Sequence, residues 1–408
     1  MTDPRIFLSV VEIAGYYSSL KDGFNQIGIS AQTGFVSSHK FNYKINPTNL
    51  QKYIIWASDN ISDINQNEGK YGFFKKIFFY LVAAIFVILF FFQSLMKFDV
   101  FVFGFRKSFL PLHLDLPIIK LFNKRIIFIF HGSDTRKPLL NGVFGNLPVT
   151  KLLKLEKKQK KSIATIEKYA DHIITQPAIS QCHKRSVVNW IKVGMPFSKE
   201  YFGNEKNDKY KDCSHTIPII LHCPSKPQAK GTEIIRSVIN DLKAEGYKFS
   251  YNEIINKSHD EVLAALDECT FVVDQLYSDL HMAGFATEAA FYSKPAIVGG
   301  YELDKLSEIC GSTYTAPTYQ IKPTPSDLRK AIIFFLENSD KCEELGRQAH
   351  IFVEKHYKPS VVARNLLKII NNDIPNDWMI EPDTFRFDHG CAISAAELSQ
   401  RMKNLSNM

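Results

Sequence analysis

The sequence lacks several patterns that would assign it quickly to a common class of protein. Its 408 residues contain only seven cysteines, which are scattered, odd in number and never spaced as a C-x-x-C pair. This spacing supports neither a disulfide framework nor a thiolate metal site, and it is simplest to expect the reduced thiols of a cytosolic protein. The first residues, Met1 to Pro4, carry no signal-peptide pattern, so we expect no export.

A strong excess of either charge is also missing. The chain has 50 basic and 42 acidic residues, a modest surplus that suits an anionic partner. The sequence contains no zinc-finger spacing and no interleaving of aromatic with basic residues, so we expect no nucleic acid partner. It contains no internal repeat, and its length is sufficient for two domains with substantial cores.

One hydrophobic segment departs from the pattern of a soluble chain. Every residue from Ile77 to Phe92 is apolar or aromatic, and lysines stand near both ends of the run. At about 1.5 Å per residue this run reaches roughly 24 Å, short of the ~30 Å hydrocarbon core of a bilayer. Because strand-like runs on either side of it are expected to share one sheet, we favour a helix near residues 77–96 that packs on that sheet with its outer face in the membrane surface. A buried core helix and a transmembrane anchor are the alternatives.

Strand-like and helical patterns alternate along the rest of the chain, which is typical of a doubly wound parallel sheet. The strand-like runs include Arg5 to Ile13, Tyr53 to Trp56 and Ile126 to Phe130. We therefore predict an α/β fold with two Rossmann-like doubly wound domains that face a cleft. The predicted divisions are an N-terminal domain over residues 1–203, a linker over 204–216, a C-terminal domain over 217–358, a helix that crosses back over 359–372, and an irregular tail over 373–408.

Ligands of such folds bind at the carboxyl ends of the parallel strands, and chemically suitable residues fall there. His131 to Asp134 directly follows one strand-like run, and Cys223 to Ser225 follows another, shortly before Lys230 at a helix start. We expect Lys230 and the loop at Gly284 to bring a cation and a set of N–H groups to one anion. Asp134 and Arg136 are interpreted as a local ion pair or a helix cap.

The most informative stretch runs from Gly284 to Ala290 and is followed by a buried apolar strand. A glycine opens a short helix here, and the first-turn N–H groups and the positive end of the helix dipole make a site for a diphosphate. Glu288 is then placed to accept hydrogen bonds from sugar hydroxyls. The alternative is an acidic first turn that the helix dipole favours without any ligand.

Together these pieces resemble the GT-B glycosyltransferases, in particular the retaining, family-four-like group that builds bacterial surface polysaccharides. The resemblance covers the chain from Ile6 to about Ile370, and two positions depart from the pattern. Leu280 stands where many relatives have a second carboxylate, and Ser225 stands where they often have an arginine. The matching motifs occur, in order, at Ala14 to Leu20, His131 to Asp134, Cys223 to Gly231 and Gly284 to Pro295.

The resemblance implies a glycosyltransferase that uses a nucleotide-sugar donor and needs neither a metal nor a further cofactor. Its second domain would hold the donor and its first would face the acceptor, with His131 as the catalytic-site residue beside the donor sugar. Structural alternatives are a satisfied strand-end histidine for His131, a tight turn for Gly15 and a solvated surface position for Lys230. The residues expected to bind the donor are Gly15, Ser225, Lys230, Gly284, Phe285, Ala286 and Glu288.

We expect this enzyme to be of the retaining type and to move a sugar onto a glycan or lipid-linked acceptor in cell-surface polysaccharide biosynthesis. Its expected location is cytoplasmic and peripheral, on the inner leaflet of the cell membrane. Six lysines between Lys151 and Lys161 either meet anionic headgroups or form a solvated helix face. The alternatives are a non-catalytic scaffold of this fold and a dinucleotide-dependent oxidoreductase, although the latter needs a G-x-G-x-x-G turn that Glu12 to Tyr17 lacks.

Overall fold

The computed structural model describes residues 3–36, 47–66, 72–197 and 217–407. The predicted linker at 204–216 lies outside these residues. The described chain forms two sheets built mainly from parallel strands, which confirms the predicted α/β class with two parallel-sheet domains. The strands are β1 (Ile6–Leu8), β2 (Ala31–Thr33), β3 (Val100–Gly104), β4 (Arg125–Ile129), β5 (His172–Thr175), β6 (Val187–Asn189), β7 (Ile219–His222), β8 (Ser250–Glu253), β9 (Phe271–Ser278), β10 (Ala296–Gly300), β11 (Tyr319–Ile321) and β12 (Met379–Ile380).

The first sheet has seven strands in the order β12-β6-β5-β4-β3-β1-β2, and the second has five in the order β11-β10-β9-β7-β8. We call the units around them the N-lobe and the C-lobe. Neighbouring strands pair in parallel, except that β12 pairs antiparallel with β6. Within each lobe the loops at the carboxyl ends of the parallel strands therefore share one edge.

Helices connect these strands and cover both faces of each sheet. The longer ones are α1 (Tyr16–Gln26), α2 (Asn49–Gln66), α3 (Gly72–Lys97), α5 (Val149–Tyr169), α8 (Thr232–Ala244), α12 (Pro325–Glu337), α13 (Ser339–His356), α14 (Pro359–Ile370) and α15 (Ala395–Ser406). The shorter ones are α4 (Asp115–Leu121), α6 (Trp190–Val193), α7 (Pro227–Lys230), α9 (His259–Glu268), α10 (Gly284–Phe291) and α11 (Leu303–Cys310).

The alternation of side chains along the N-lobe strands separates two cores. Ile6 and Leu8 of β1 face one side with α1 and α14, whereas Phe7 faces the other with α3, α4 and α5, as the period of two in a strand requires. Helix α14 crosses from the C-lobe to pack on α1. The approach is so close that a Cβ on Gly23 would lie 2.1 Å from the Pro359 carbonyl oxygen.

Three predictions about individual elements are wrong. The run Tyr53 to Trp56, predicted as a strand, lies inside α2, because its aromatic rings pack on α3 rather than in a sheet. The predicted strand Arg5 to Ile13 stops at Leu8, since Ser9 turns the chain with φ of 44°. The tail predicted to be irregular contains β12 and the 12-residue helix α15.

Candidate active site

Helix α10 begins at the carboxyl edge of the C-lobe sheet with an unfilled N-terminus. Its N-cap, Ala283, has no side chain that can accept a hydrogen bond, and the first amide with a helical partner is that of Thr287, which donates to the Ala283 carbonyl at 2.8 Å. The amides of Gly284, Phe285 and Ala286 have no acceptor among the residues that the structure describes. Three N–H groups and the positive end of the dipole thus remain available to an anion.

Gly284 leaves space in front of these amides. It is exposed, and a Cβ built on it would have no atom within 4 Å. Its backbone also lacks the left-handed φ that would make glycine necessary. The fold therefore does not require glycine at this position. A ligand that approaches the backbone closely would require it, because any side chain would occupy the same space. Of the other two residues expected at this turn, Ala286 is buried and Phe285 packs partly against the core, so that only their backbone faces the site.

Glu288 lies one turn further along α10 and is ordered by a neighbouring helix. Its Oε1 lies 3.0 Å from Nε2 of His259 on α9, and only 19% of its side chain is exposed. The thiol of Cys223, in the turn after β7, lies close enough to Glu288 for the carboxylate to affect it. Burial, with the charges of Glu288 and Asp274, raises the pKa of Cys223 to about 12, so the thiol stays protonated.

Lys230 ends α7 in the loop that follows β7, and it is held by a buried carboxylate. Its Nζ lies 3.2 Å from Oδ1 of Asp274 on β9, whose side chain is fully buried. Only 18% of the Lys230 side chain is exposed, which excludes a solvated surface position. Because Asp274 and Glu288 both act on Cys223, the ammonium and the α10 carboxylate stand around the same turn. Ser225 lies in this turn, exposed and without a side-chain hydrogen bond to any described residue.

His131 follows β4 and is bonded to the first helix of the N-lobe. Its Nε2 lies 2.9 Å from the Tyr17 hydroxyl oxygen, and burial lowers the pKa of the ring to about 4. Burial also raises the pKa of Tyr17 well above its usual value, so the hydroxyl keeps its proton and shares a hydrogen bond with Nε2. Nδ1 of the neutral ring has no hydrogen-bond partner among the described residues, so it can donate to a ligand or accept from one according to the ring tautomer.

Gly15 is the N-cap of α1 and has φ of 77°, a conformation that favours glycine. The N-terminus of α1 is already filled. Glu12 accepts hydrogen bonds from the amides of Ile13, Tyr17 and Ser18 at 2.8 to 3.0 Å. A carboxylate at this position excludes a second anion from the same amides, so Gly15 serves the turn and any approach to a ligand there is by an uncharged group.

The structure replaces the expected ion pair of Asp134 and Arg136 with two other interactions. Asp134 accepts a hydrogen bond from the His131 amide at 3.0 Å, and burial raises its pKa to about 6. Arg136 instead donates to Asp279, which lies 143 residues further along the chain. This pair joins the loop after β4 in the N-lobe to the loop before α10 in the C-lobe, so the two predicted site loops face each other across one cleft.

Sequence reasoning missed the residues that orient the predicted ones. Tyr17, Asp274 and His259 each hold one of them, and Glu12 and Asp279 carry charges that decide where an anion fits. Asp274 is a charged residue that directly follows a buried hydrophobic run, Phe271 to Val273, inside β9, and this position was the available signal. Within the described residues, no group of three or more histidine, cysteine, aspartate or glutamate side chains is placed to hold a metal ion.

Comparison with known proteins places this architecture in one fold. No protein-family model and no curated protein matches the sequence. Among solved structures, HepE of Anabaena in complex with UDP and glucose is 10% identical, with a TM-score of 0.52, and the match covers 90% of this chain and 100% of that one. A glycosyltransferase of Rickettsia africae is 13% identical, with a TM-score of 0.51 and coverage of 92% and 100%. OtsA without ligand is 9% identical, with a TM-score of 0.53 and coverage of 92% and 100%.

These similarities define the class to which the fold belongs. The two facing parallel-sheet lobes, with α14 crossing back, are those of the GT-B glycosyltransferases. The resemblance noted in the sequence motifs is thus confirmed at the level of fold. At about one identical residue in ten, the similarity does not assign a substrate or a role to any residue of this chain, and these follow from the site itself.

A methyl group on Gly284 should separate ligand binding from folding. We expect Gly284→Ala to leave the free energy of unfolding within about 1 kcal/mol of the wild type, since glycine-to-alanine changes in helices are small or favourable. The affinity for UDP should fall by about tenfold or more, because the new Cβ occupies the space in front of the α10 amides. Calorimetric titration with UDP and urea unfolding measure the two effects. Unchanged affinity would show that the anion does not sit at this turn.

The neutral state of His131 predicts an acid-sensitive contribution to stability. Between about pH 6.5 and pH 4 the unfolded chain binds a proton that the folded ring does not, so this contribution is present above pH 6.5 and is lost as the pH falls. From pH 7 to pH 5 the wild type should lose on the order of 1–2 kcal/mol more than His131→Gln. The neighbouring Asp134, with its raised pKa, acts in the opposite direction but is present in both proteins. Equal losses in urea unfolding would mean that the folded ring titrates normally.

Proposed function

We propose that this protein is a glycosyltransferase that binds a nucleotide-sugar donor at the N-terminus of α10 in the C-lobe. The observation that carries the proposal is the set of three amides that have no acceptor among the described residues, behind an open Gly284, with Lys230 and Glu288 around the adjoining turn. The complex of HepE with UDP and glucose, in the same fold, supports a donor of this class. We take UDP-sugars as the first candidates.

The site suits departure of a nucleoside diphosphate. Negative charge grows on the diphosphate as the bond to the sugar breaks, and fixed N–H dipoles and an ammonium group stabilise that charge without reorganising. Asp274 holds Lys230 in place and, by partly neutralising it, limits the cost of a buried cation when no donor is bound. We propose that these groups perform the transfer without a metal ion.

Both lobes supply groups expected to meet the donor and its transferred sugar. His131 presents a neutral ring with Nδ1 free of described partners, so it is suited to hydrogen-bond a sugar hydroxyl rather than to transfer a proton near neutral pH. Glu288, with its carboxylate on α10, is suited to accept from ribose or sugar hydroxyls. We propose transfer with retention of configuration, in keeping with the motifs that the sequence shares with retaining enzymes.

One alternative class is disfavoured by a specific interaction. A dinucleotide-dependent oxidoreductase would place its pyrophosphate at the start of α1, the helix that follows the first strand. Glu12 occupies the amides of Ile13, Tyr17 and Ser18 with a carboxylate, so a pyrophosphate there would meet a like charge. A non-catalytic scaffold with this fold makes a different prediction, since it would bind a nucleotide without turning it over.

Substitutions with matched shape distinguish an enzyme from a scaffold. Lys230→Met is made together with Asp274→Asn, so that no buried carboxylate loses its partner. We expect transfer or hydrolysis of the donor to fall by about 10²- to 10³-fold, the usual effect of removing one group that stabilises developing charge. Glu288→Gln should act mainly on KM, because it weakens a hydroxyl contact present before and during transfer.

Lys226→Met is the control for this experiment, because Lys226 is an exposed lysine in the same loop. It should retain wild-type kinetics, and all variants should keep the wild-type circular dichroism spectrum. Binding of nucleotide sugars without detectable transfer or hydrolysis by the wild type, across a panel of donors and acceptors, would favour the scaffold.

The N-lobe carries an apolar surface that supports a membrane location. Helix α3 is long and apolar enough to cross a membrane, and only 17% of its most apolar window is buried. Phe90, Phe91, Ser94 and Leu95 near its end are buried, but most of α3 is exposed, which does not fit the alternative of a wholly buried core helix. Large exposed apolar side chains lie along the remainder: Phe73, Phe74, Ile77, Phe78, Tyr80, Leu81, Ile85, Ile88, Leu89, Phe92 and Met96.

Neighbouring helices extend this surface. Helices α4 and α5 cover the same face of the sheet as the end of α3. The α4 region exposes Leu112, Leu114, Leu121 and Phe122, and α5 exposes all six lysines between Lys151 and Lys161. An apolar patch beside a basic helix is the combination that anionic bilayer surfaces attract.

The partner helix of α3 favours a peripheral orientation over a spanning one. Tyr53 and Trp56 of α2 contact Phe86 and Phe79 of α3, so the two helices form an antiparallel hairpin. A spanning hairpin would carry the exposed polar end of α2, with Asp59 and Asp63, into hydrocarbon at a cost of several kcal/mol. Lying flat, α3 buries its apolar face while α2 stays in water.

We therefore propose that the protein works at the inner face of the cell membrane, in cell-surface polysaccharide biosynthesis, on a glycan or lipid-linked acceptor. Arg106, at the carboxyl end of β3, supports an acceptor that carries phosphate. Its guanidinium is partly buried, and its Nε has no hydrogen-bond partner among the described residues. Membrane attachment would also hold the enzyme in the plane of such an acceptor and raise its effective concentration.

Charges placed on the apolar face should release the protein from membranes. We expect Leu81→Glu with Ile85→Glu to lower binding to vesicles of phosphatidylglycerol and phosphatidylcholine by about tenfold or more, because each carboxylate costs on the order of 2 kcal/mol to bury. Ile351→Glu, on an exposed C-lobe residue, is the matched control. Co-sedimentation measures binding, and equal binding of all three proteins would contradict a role for α3.

A further inference from the structure

The chain continues beyond α14 and returns to the cleft. Strand β12 first joins the free edge of the N-lobe sheet beside β6. The chain then runs between the lobes before α15 packs on α5. We call residues 385–393, which lie between the lobes, the strap. None of the residues proposed to bind the donor belongs to the strap.

The strap is bonded to the N-lobe loops that follow β4 and β5. The Cys391 amide donates to the Leu140 carbonyl at 3.1 Å, and the Gly142 amide donates to the Cys391 carbonyl at 3.0 Å. The Gln181 amide group donates to the Phe387 carbonyl at 2.8 Å. In each of these contacts the strap uses its backbone N–H or C=O groups, as a β-strand does, and Cys391 forms an isolated β-bridge with Asn141.

The next residues of the strap are bonded to the C-lobe. The Ala392 amide donates to the carbonyl of Tyr277 on β9 at 2.8 Å, and the Tyr301 hydroxyl donates to the carbonyl of Ile393, the last residue of the strap, at 3.0 Å. The ring of His389 stacks on Tyr301, with 5.3 Å between ring centroids. Adjacent residues, Cys391 and Ala392, thus bond to different lobes.

The fit between the strap and the lobes depends on two glycines. A Cβ on Gly142 would lie 1.5 Å from the Ala392 carbonyl oxygen, and one on Gly390 would lie 2.2 Å from the Leu140 carbonyl oxygen. The cavity beside Gly390 has a volume of about 10 Å³, roughly the space that one water molecule needs. The strap therefore packs closely against both of its neighbours.

Helix α15 anchors the strap through one arginine. Arg401 is 6% exposed, and its guanidinium donates to the carbonyls of Pro138, Leu139 and Asn141 at 3.1 to 3.3 Å and to that of Gly145 at 2.6 Å. Its charge is balanced by Glu397, 2.7 Å away. A buried arginine that binds carbonyls of one loop fixes both the loop and the helix that carries it.

The strap also covers the ion pair between the lobes. Arg136 and Asp279 line the same cavity as Gly390 and Phe387. Arg136 belongs to the loop that begins with His131, and Asp279 to the loop that leads into α10. The strap, the ion pair and the two halves of the proposed donor site thus form one connected set of contacts.

We propose that the strap ties the two lobes together and sets the width of the cleft, with Arg401 as the positioning residue that holds it. The proposal rests on the proposed function only in its consequence for catalysis. If the lobes separate, the α10 amides and Lys230 still bind nucleotide within the C-lobe, but His131 no longer meets the sugar.

The test compares Arg401→Met with Arg386→Met, which removes an exposed arginine of the strap itself. We expect Arg401→Met to show a larger radius of gyration in small-angle scattering and at least tenfold faster hydrogen exchange in residues 388–394. UDP affinity should stay within twofold, whereas kcat for transfer should fall at least tenfold. Arg386→Met should match the wild type in every measurement.

A second variant displaces the strap without changing α15, because Arg401→Met could unfold that helix. Gly390→Val should open the strap by displacing it from the Leu140 carbonyl while leaving Arg401 in place, and it should reproduce the larger radius and the faster exchange. An unchanged scattering curve and unchanged exchange in both variants would overturn the proposal. If both change but the wild type itself transfers no sugar, the strap stands and the proposed function fails.

Discussion

Parallel pairing of the strands is the constraint on which the rest of the structure depends. It brings every βα loop of a lobe to one edge, and β4, β7 and β9 each deliver a short polar segment there. Because the intervening helices bury both faces of each sheet, these edges are where polar groups are not enclosed by the apolar cores. The Arg136–Asp279 pair then sets one edge against the other.

Charge placed inside these loops decides where an anion can and cannot bind. Helices α1 and α10 both start at the carboxyl edge of their sheets, yet of the two only α10 has first-turn amides without an acceptor among the described residues. Glu12 closes the start of α1, whereas Ala283 leaves the start of α10 unfilled. Asp274 works differently, since it lies behind Lys230 and orders the ammonium group without occupying the helix terminus. The two lobes share one architecture, and single side chains decide which of the two helix N-termini is open to an anion.

Sequence patterns were sufficient to predict the fold class and the polar loops at the carboxyl ends of the strands, because buried strands and the residues that end them are local signals. The roles of the predicted site residues stay predictions. Sequence patterns failed where a partner is distant or where packing overrides propensity. Arg136 finds its carboxylate 143 residues away, and no local pattern announces that pairing. Tyr53 to Trp56 has the composition of a strand, but it packs in a helical hairpin. The strap has no periodicity, since backbone hydrogen bonds rather than an apolar stripe hold it.

The hairpin and the strap together suggest how an acceptor reaches the cleft. Gln51, near the start of α2, donates to the carbonyl of Phe35, just beyond the end of β2, so the hairpin rises from the same edge of the N-lobe sheet that carries the site loops. The strap covers the loops after β4 and β5, whereas the described contacts of the strap do not include the loops after β1 and β3. On the proposed membrane location, an acceptor held at the bilayer by a lipid would approach past Gly15 and Arg106, on the side of the lobe that carries the exposed apolar side chains of α3.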